Sequence, residues 1–312
     1  MFLEESQLLH QQDTSATSVA FEGREPLSFV NKTLAAATAA LVAAHAGAAV
    51  TTIADSALTP TDHLYTSNFG QVVVTTGGAN AANVGDASGR NDDGFSGPIA
   101  LGYSLQNFFG SDYSSFYINN NGNVTFTGGL ATYTPAGPQG ATQPVIAPFF
   151  ADVDTRVAGS GVVYVNNSIA NETIITWDHV GYYGSGDGKQ DTFQLVIRGA
   201  GYATPAGEGQ IGFFYGDMAW ETGNASGGAG GFGGSAAAVG FGDGQQNGFI
   251  LAGSNQAGIS GVVNDSYIWF DVSDAGTPVP VPPSAVPEPG SMALLLAGLG
   301  MIVTTARRRR QS

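Results

Sequence analysis

Asp152 and Asp154 stand two residues apart, directly after the apolar run Val145-Ile146-Ala147-Pro148-Phe149-Phe150. Side chains two apart on an extended chain leave the same face, so both carboxylates can serve one site. Hard oxygen donors of this kind suit Ca²⁺, which makes the pair a candidate metal site. Asp92, Asp93, Asp187, Asp191 and Asp243 lie in other stretches and are available to complete a coordination shell. No stretch carries the twelve-residue spacing of an EF-hand loop. The simpler reading has Asp152 and Asp154 capping turns or accepting from backbone amides, and it takes precedence here. A glycosidase pair would need the two carboxyl groups about 5 Å apart in a cleft, and an acid-rich chain offers such spacings by chance. No Gly-x-Ser-x-Gly elbow accompanies His63 or His179. With no cysteine there is no thiolate nucleophile, thiolate metal site or disulfide. These features point away from an enzyme.

Composition narrows the choice of partners. Between Ala49 and Glu288 there are four basic residues against twenty acidic ones, a net charge of −16. Such a surface repels phosphate backbones, so nucleic acid is not an expected partner. The acidity suits a secreted protein that stays soluble or gathers divalent cations. The 46 glycines and the 11% of charged residues favour short strands and many turns over helices.

The elements that would position the acidic pair follow from pattern. In Phe116-Tyr117-Ile118-Asn119-Asn120-Asn121-Gly122-Asn123-Val124-Thr125-Phe126, two aromatic and β-branched runs flank Asn-Gly. That pair favours a two-residue hairpin, because both turn positions need φ > 0. Phe116 and Ile118, then Val124 and Phe126, alternate with polar neighbours and predict one buried face. Further strands are expected at 71–76, 161–165, 172–177, 191–198, 210–215, 237–241 and 267–270. Trp177, Trp220 and Trp269 sit in strand-like runs and read as core residues rather than sugar-stacking platforms. Short strands separated by turn signals predict an all-β body, an antiparallel sandwich or barrel. The glycine-rich stretch 223–234 has no Lys-Ser/Thr and no helix after it, so it does not read as a phosphate loop.

The two ends differ from this body. Asn31-Lys32-Thr33 followed by the alanine-rich run 34–44 and Ala46-Gly47-Ala48 reads as an export signal helix cut near 48. Residues 1–30 carry five acids and no fitting n-region, which suggests translation starting near Leu27 or Val30. At the other end, 273–285 reads as a proline-rich, semi-rigid linker. Val286-Pro287-Glu288-Pro289 then precedes an apolar stretch over 291–306, at the lower limit for a membrane-spanning helix. Arg307–Arg310 place its end in the cytoplasm.

The order Pro-Glu-Pro, short apolar helix, arginine block resembles the PEP-CTERM sorting signal of Gram-negative bacteria. The resemblance implies recognition of Pro287, Glu288 and Pro289 by an exosortase, with removal of the tail. Members usually occur where exopolysaccharide or biofilm matrix is made. A second resemblance rests on an ordered set of stretches. These are Asn107-Phe108-Phe109-Gly110, the hairpin 115–126, and Ile146-Ala147-Pro148-Phe149-Phe150-Ala151-Asp152-Val153-Asp154. The set continues with 191–197, Phe214-Tyr215-Gly216-Asp217-Met218-Ala219-Trp220-Glu221-Thr222-Gly223 and Ala238-Val239-Gly240-Phe241. Together they resemble the NIDO domain over about 95–272, with 49–94 as the N-terminal part of the body. Phe150 stands where the family often has Trp. This resemblance implies a non-enzymatic role in cell–matrix adhesion or matrix structure, through extracellular polysaccharide or a matrix protein. The competing expectation is a lectin-like or carbohydrate-active extracellular protein.

Overall fold

The computed structural model describes residues 49–77, 85–184 and 188–284. The expected signal helix within 1–48 and the apolar tail within 286–312 lie outside the described residues, as does Asp187. Among the described residues, no helix is long and apolar enough to cross a membrane.

The strands run β1 Val50–Ile53, β2 Thr59–Pro60, β3 Gln71–Val72, β4 Ile99–Phe108, β5 Ser111–Asn119, β6 Asn123–Thr125 and β7 Pro144–Phe150. They continue as β8 Val163–Asn166, β9 Glu172–Val180, β10 Asp191–Arg198, β11 Ile211–Met218, β12 Ala238–Asp243, β13 Gly248–Leu251, β14 Ser266–Val272 and β15 Pro278–Val281. Among the described residues one α-helix, α1, covers Ile259–Val263. One sheet has the order β1-β13-β12-β7-β6-β5-β4; the other has β15-β14-β11-β10-β9-β8-β3, with β2 also on β14. The barrel alternative is therefore corrected: β4 and β1 end one sheet and β15 and β3 end the other, and neither sheet closes on itself. The pairing is antiparallel except where β1 runs parallel to β13.

Alternation in the strands builds one shared core. Phe116, Ile118, Val124 and Phe149 come from the first sheet, and Trp177, Phe193, Leu195 and Phe213 from the second. Phe149 meets Phe193 at 5.6 Å between ring centroids, and Trp177 stacks on Phe193 at 5.0 Å. The Trp177 Nε1–H donates to the carbonyls of Asn119 and Asn120, so its polar end is satisfied while its rings stay buried. Residues of opposite parity on the second sheet are covered as well. Ile174, Val196, Phe214 and Trp269 form an outer cluster with Tyr65 and Tyr267 against it. That is why β10 is buried along its whole length instead of alternating.

Several sequence expectations change in detail. Residues 71–76 form only a two-residue strand. Phe109-Gly110 is the tip of a hairpin between β4 and β5. The stretch expected as a linker at 273–285 is extended but docked, with β15 on β14 pairing Phe270 with Pro280 and Val272 with Pro278. Proline is tolerated there because an edge strand needs no donor on its open side.

Candidate functional site

The acidic site is assembled from three loops at the end of β7. The β5–β6 hairpin turn lies across that strand end: the Phe149 N–H donates to the Gly122 carbonyl, and the Ala151 N–H to that of Asn121. Beyond it the chain carries Asp152, Val153 and Asp154. Asp92 pairs with Asp154 in an isolated antiparallel bridge, which brings in the 91–94 segment. Asn121 ties the parts together. Its Oδ1 accepts from the Val153 N–H and its Nδ2–H donates to Asp93 Oδ1. From the third side, Gly223 lies so close that a Cβ there would meet Asp152 Oδ2 at 2.3 Å.

Asp92, Asp93 and Asp152 each offer one oxygen within 4.8 Å of the others, and all three side chains are buried. Asp152 thus joins a cluster, as its sequence position suggested. Asp154 takes another role. Arg156 holds it at both oxygens, with 2.9 Å from Nε to Oδ1 and 2.9 Å from Nη2 to Oδ2. The same Nη2 also donates to Asp92 Oδ2. Burial, reinforced by the charges of Asp154 and Asp93, pushes the Asp92 carboxyl up to about 7. Burial and the charge of Asp93 raise Asp152 to about 7. The Arg156 guanidinium is held further in its charged form, first by its hydrogen bond to Asp154.

The other acids considered for a metal site lie elsewhere. Asp191 Oδ1 accepts from the amides of Ala219 and Trp220, and burial raises its carboxyl well above the usual range. Asp243 caps its own turn through the amides of Gln245 and Asn247. Asp93 and Asp92 carried a usable signal, two adjacent acids in an Asn-Asp-Asp-Gly turn; what the sequence did not show is that Asp92 would bridge to Asp154. His179 is exposed and pairs with Asp178, consistent with a rim position.

A second polar group lies behind the outer aromatic cluster. Arg198 and Glu172 are cross-strand partners on β10 and β9, both fully buried, with Nε to Oε2 at 2.7 Å. Arg198 Nη2 also donates to the Tyr65 hydroxyl and to Glu208 Oε2, at 2.8 and 2.6 Å. Its guanidinium packs 4.2 Å from the Trp269 ring centroid and 4.3 Å from that of Tyr202. Burial opposes its charge, but the bonds to Glu172, Glu208 and Tyr65 outweigh that and hold the guanidinium protonated. In front of this group is a pocket of about 680 Å³, lined by Tyr65, Phe214, Tyr267, Trp269, Glu208 and His63 among others.

Comparison with known proteins matches this body to a family described as NIDO related, over residues 63–269. A PEP-CTERM protein-sorting motif matches residues 285–310. Alpha-tectorin of Gallus gallus is 32% identical over 192 residues, covering 52% of this chain and 9% of that protein. Alpha-tectorin of Mus musculus is 33% identical over 192 residues, covering 52% of this chain and 8% of that protein. The chain thus spans less than a tenth of the length of these relatives. No solved structure matches it. The ordered stretches from Asn107 to Phe241 all fall inside the matched region, and the Pro287-Glu288-Pro289 tail inside the sorting motif: the chain belongs to the NIDO-related family and carries a PEP-CTERM sorting signal.

Proposed function

We propose that this is an exported, non-catalytic module for adhesion or matrix structure at the surface of a Gram-negative bacterium, handed to its destination by an exosortase that reads Pro287, Glu288 and Pro289. One observation carries the reading: a NIDO-related body is followed directly by a protein-sorting motif. The acidic pair gives it further support, since Asp154 is committed to Arg156 and so does not stand free beside Asp152 as an acid–base partner. Before processing, residues 291–306 hold the chain in the membrane. The test is fractionation of cells producing the full chain or its Glu288→Ala variant. The parent protein is expected at the cell surface or in the matrix, shortened by its tail, with the variant kept in the inner membrane. Equal sorting of both would count against the exosortase.

A second reading, carbohydrate binding, is favoured by the pocket over Arg198. Tyr65 and Tyr267 present partly exposed rings there, and Glu208 presents a carboxylate. Aromatic faces take up the apolar side of a sugar ring, and fixed polar groups take its hydroxyls. Arg198 holds both Tyr65 and Glu208 in place, which reduces the ordering cost on binding. The acids Asp62 and Glu208 disfavour anionic sugars, so the ligand class is a neutral glycan. Cellohexaose or laminarihexaose is expected to change tryptophan fluorescence through Trp269, and Tyr267→Ala is expected to weaken binding about tenfold, the loss of one stacking contact. Unchanged fluorescence with both sugars would remove this reading.

A further inference from the structure

We propose that Asp92, Asp93 and Asp152 form a binding site for a divalent cation, Ca²⁺ by the character of its donors. The site is independent of the adhesion reading and stands on geometry. The three carboxylate oxygens lie within 4.8 Å of one another, close enough for one ion at about 2.4 Å to touch all three. The three side chains belong to residues only 1%, 5% and 1% exposed. Burying carboxylates costs several kcal/mol per ion unless a counter-charge goes with them. With Asp154, four acids meet here, and Arg156 pairs with two of them, Asp92 and Asp154. Arg90 is close by, but it donates to the main-chain carbonyls of Thr155 and Ser160.

A separate observation points to a ligand. Asp92 itself has a buried oxygen, Oδ1, with no hydrogen-bond donor, and so do two residues of the adjoining segments, Asn91 and Asn120. Asn120 joins the two acid-bearing segments. Its N–H donates to the Gly94 carbonyl and its Nδ2–H to the Val153 carbonyl, between Asp152 and Asp154. A buried acceptor left without a donor costs about 1–3 kcal/mol, so the free oxygen of Asp92 inside the cluster calls for a partner. A proton on one carboxyl would supply a single donor. A hard cation satisfies several oxygens at once and balances the charge. The donors are all oxygen, from carboxylates and amides, with no imidazole or thiolate, which selects against zinc and copper. Irregular loops that supply many oxygens suit Ca²⁺ better than Mg²⁺, which demands a near-ideal octahedron.

The test uses the full chain stripped with EDTA. Titration with CaCl₂ is expected to raise the melting temperature until the site saturates, and MgCl₂ to raise it less. Tb³⁺, a calcium mimic, is expected to luminesce when nearby tyrosine is excited and to be displaced by Ca²⁺. Asp93→Asn and Asp152→Asn should each weaken Ca²⁺ at least about tenfold, as loss of a metal partner does, while Asp243→Asn leaves it unchanged. The Tb³⁺ experiment needs no variant, so it holds even where a substitution prevents folding. No melting shift by about 10 mM Ca²⁺, ten times the weakest extracellular sites, together with no Tb³⁺ signal, would overturn the site. So would full binding in both Asn variants. Neither result touches the sorting experiment above.

Discussion

Arg198→Met is expected to cost about 3–5 kcal/mol of folding stability, read as a lower urea midpoint at unchanged slope. The physical reason is the charge left behind. Glu172 is fully buried, its Oε2 is held by Arg198, and its Oε1 has no donor. Removing the guanidinium leaves an uncompensated carboxylate on the buried outer face of the second sheet. It also removes one of the hydrogen bonds to Tyr65, the pairing with Glu208 and the packing against Trp269. Most of the penalty belongs to the orphaned charge, so Glu172→Gln added to Arg198→Met should restore a large part of it. The exposed Asp178–His179 pair offers the contrast: both groups are in contact with solvent, and such pairs contribute about 0–1 kcal/mol. An Arg198→Met variant within about 1 kcal/mol of the parent would mean that water reaches the Glu172 carboxylate once the guanidinium is gone.

What the sequence revealed and what it hid follow from the range of the interactions involved. The hairpin at Asn121-Gly122 was legible because Asn-Gly marks a turn locally, but the two-residue turn is corrected: Asn119 pairs with Asn123, so the loop is 120–122, with φ > 0 at Gly122 and not at Asn121. β10 was legible because its whole length is apolar or β-branched but for three polar positions. The sorting tail was legible because its three features stand next to one another. The sequence put Asp152 and Asp154 on one side of an extended chain, but the chain turns directly after Asp154, at Arg156. That residue was visible in the sequence and claims Asp154. The partnership of Asp152 with Asp92 and Asp93 was hidden, because it depends on a bridge across about sixty positions. Arg198 reads as an ordinary polar strand end; only the register that sets it opposite Glu172, and the return of the 58–68 segment over the sheet, make it buried. The proline-rich stretch was read from composition as a linker, and composition does not say whether an open sheet edge lies within reach.

Gly122→Ala is expected to be the most damaging single-methyl change in the body, at about 4 kcal/mol. Two costs combine. The residue has φ +75°, which strains any side-chain-bearing residue by about 1–3 kcal/mol. An added Cβ would also stand 1.8 Å from the Phe149 carbonyl oxygen, so the hairpin must move away from β7, an overpacking cost of about 1–3 kcal/mol more. Gly110→Ala separates the two. Gly110 has φ +76°, nearly the same backbone, with nothing within 4 Å of a new Cβ. It should therefore lose only the strain, about 1 kcal/mol at the low end of that range. The difference between the two variants in urea unfolding measures what the close approach of hairpin to strand is worth; equal losses would show that the turn is not held against β7. The consequence reaches the acidic loops, because Asn121 and Phe149 sit between this turn and Asp152. Pushing the turn outward draws Asn121 away from Val153 and Asp93, so the Gly122→Ala protein should also lose its response to Ca²⁺ while Gly110→Ala keeps it.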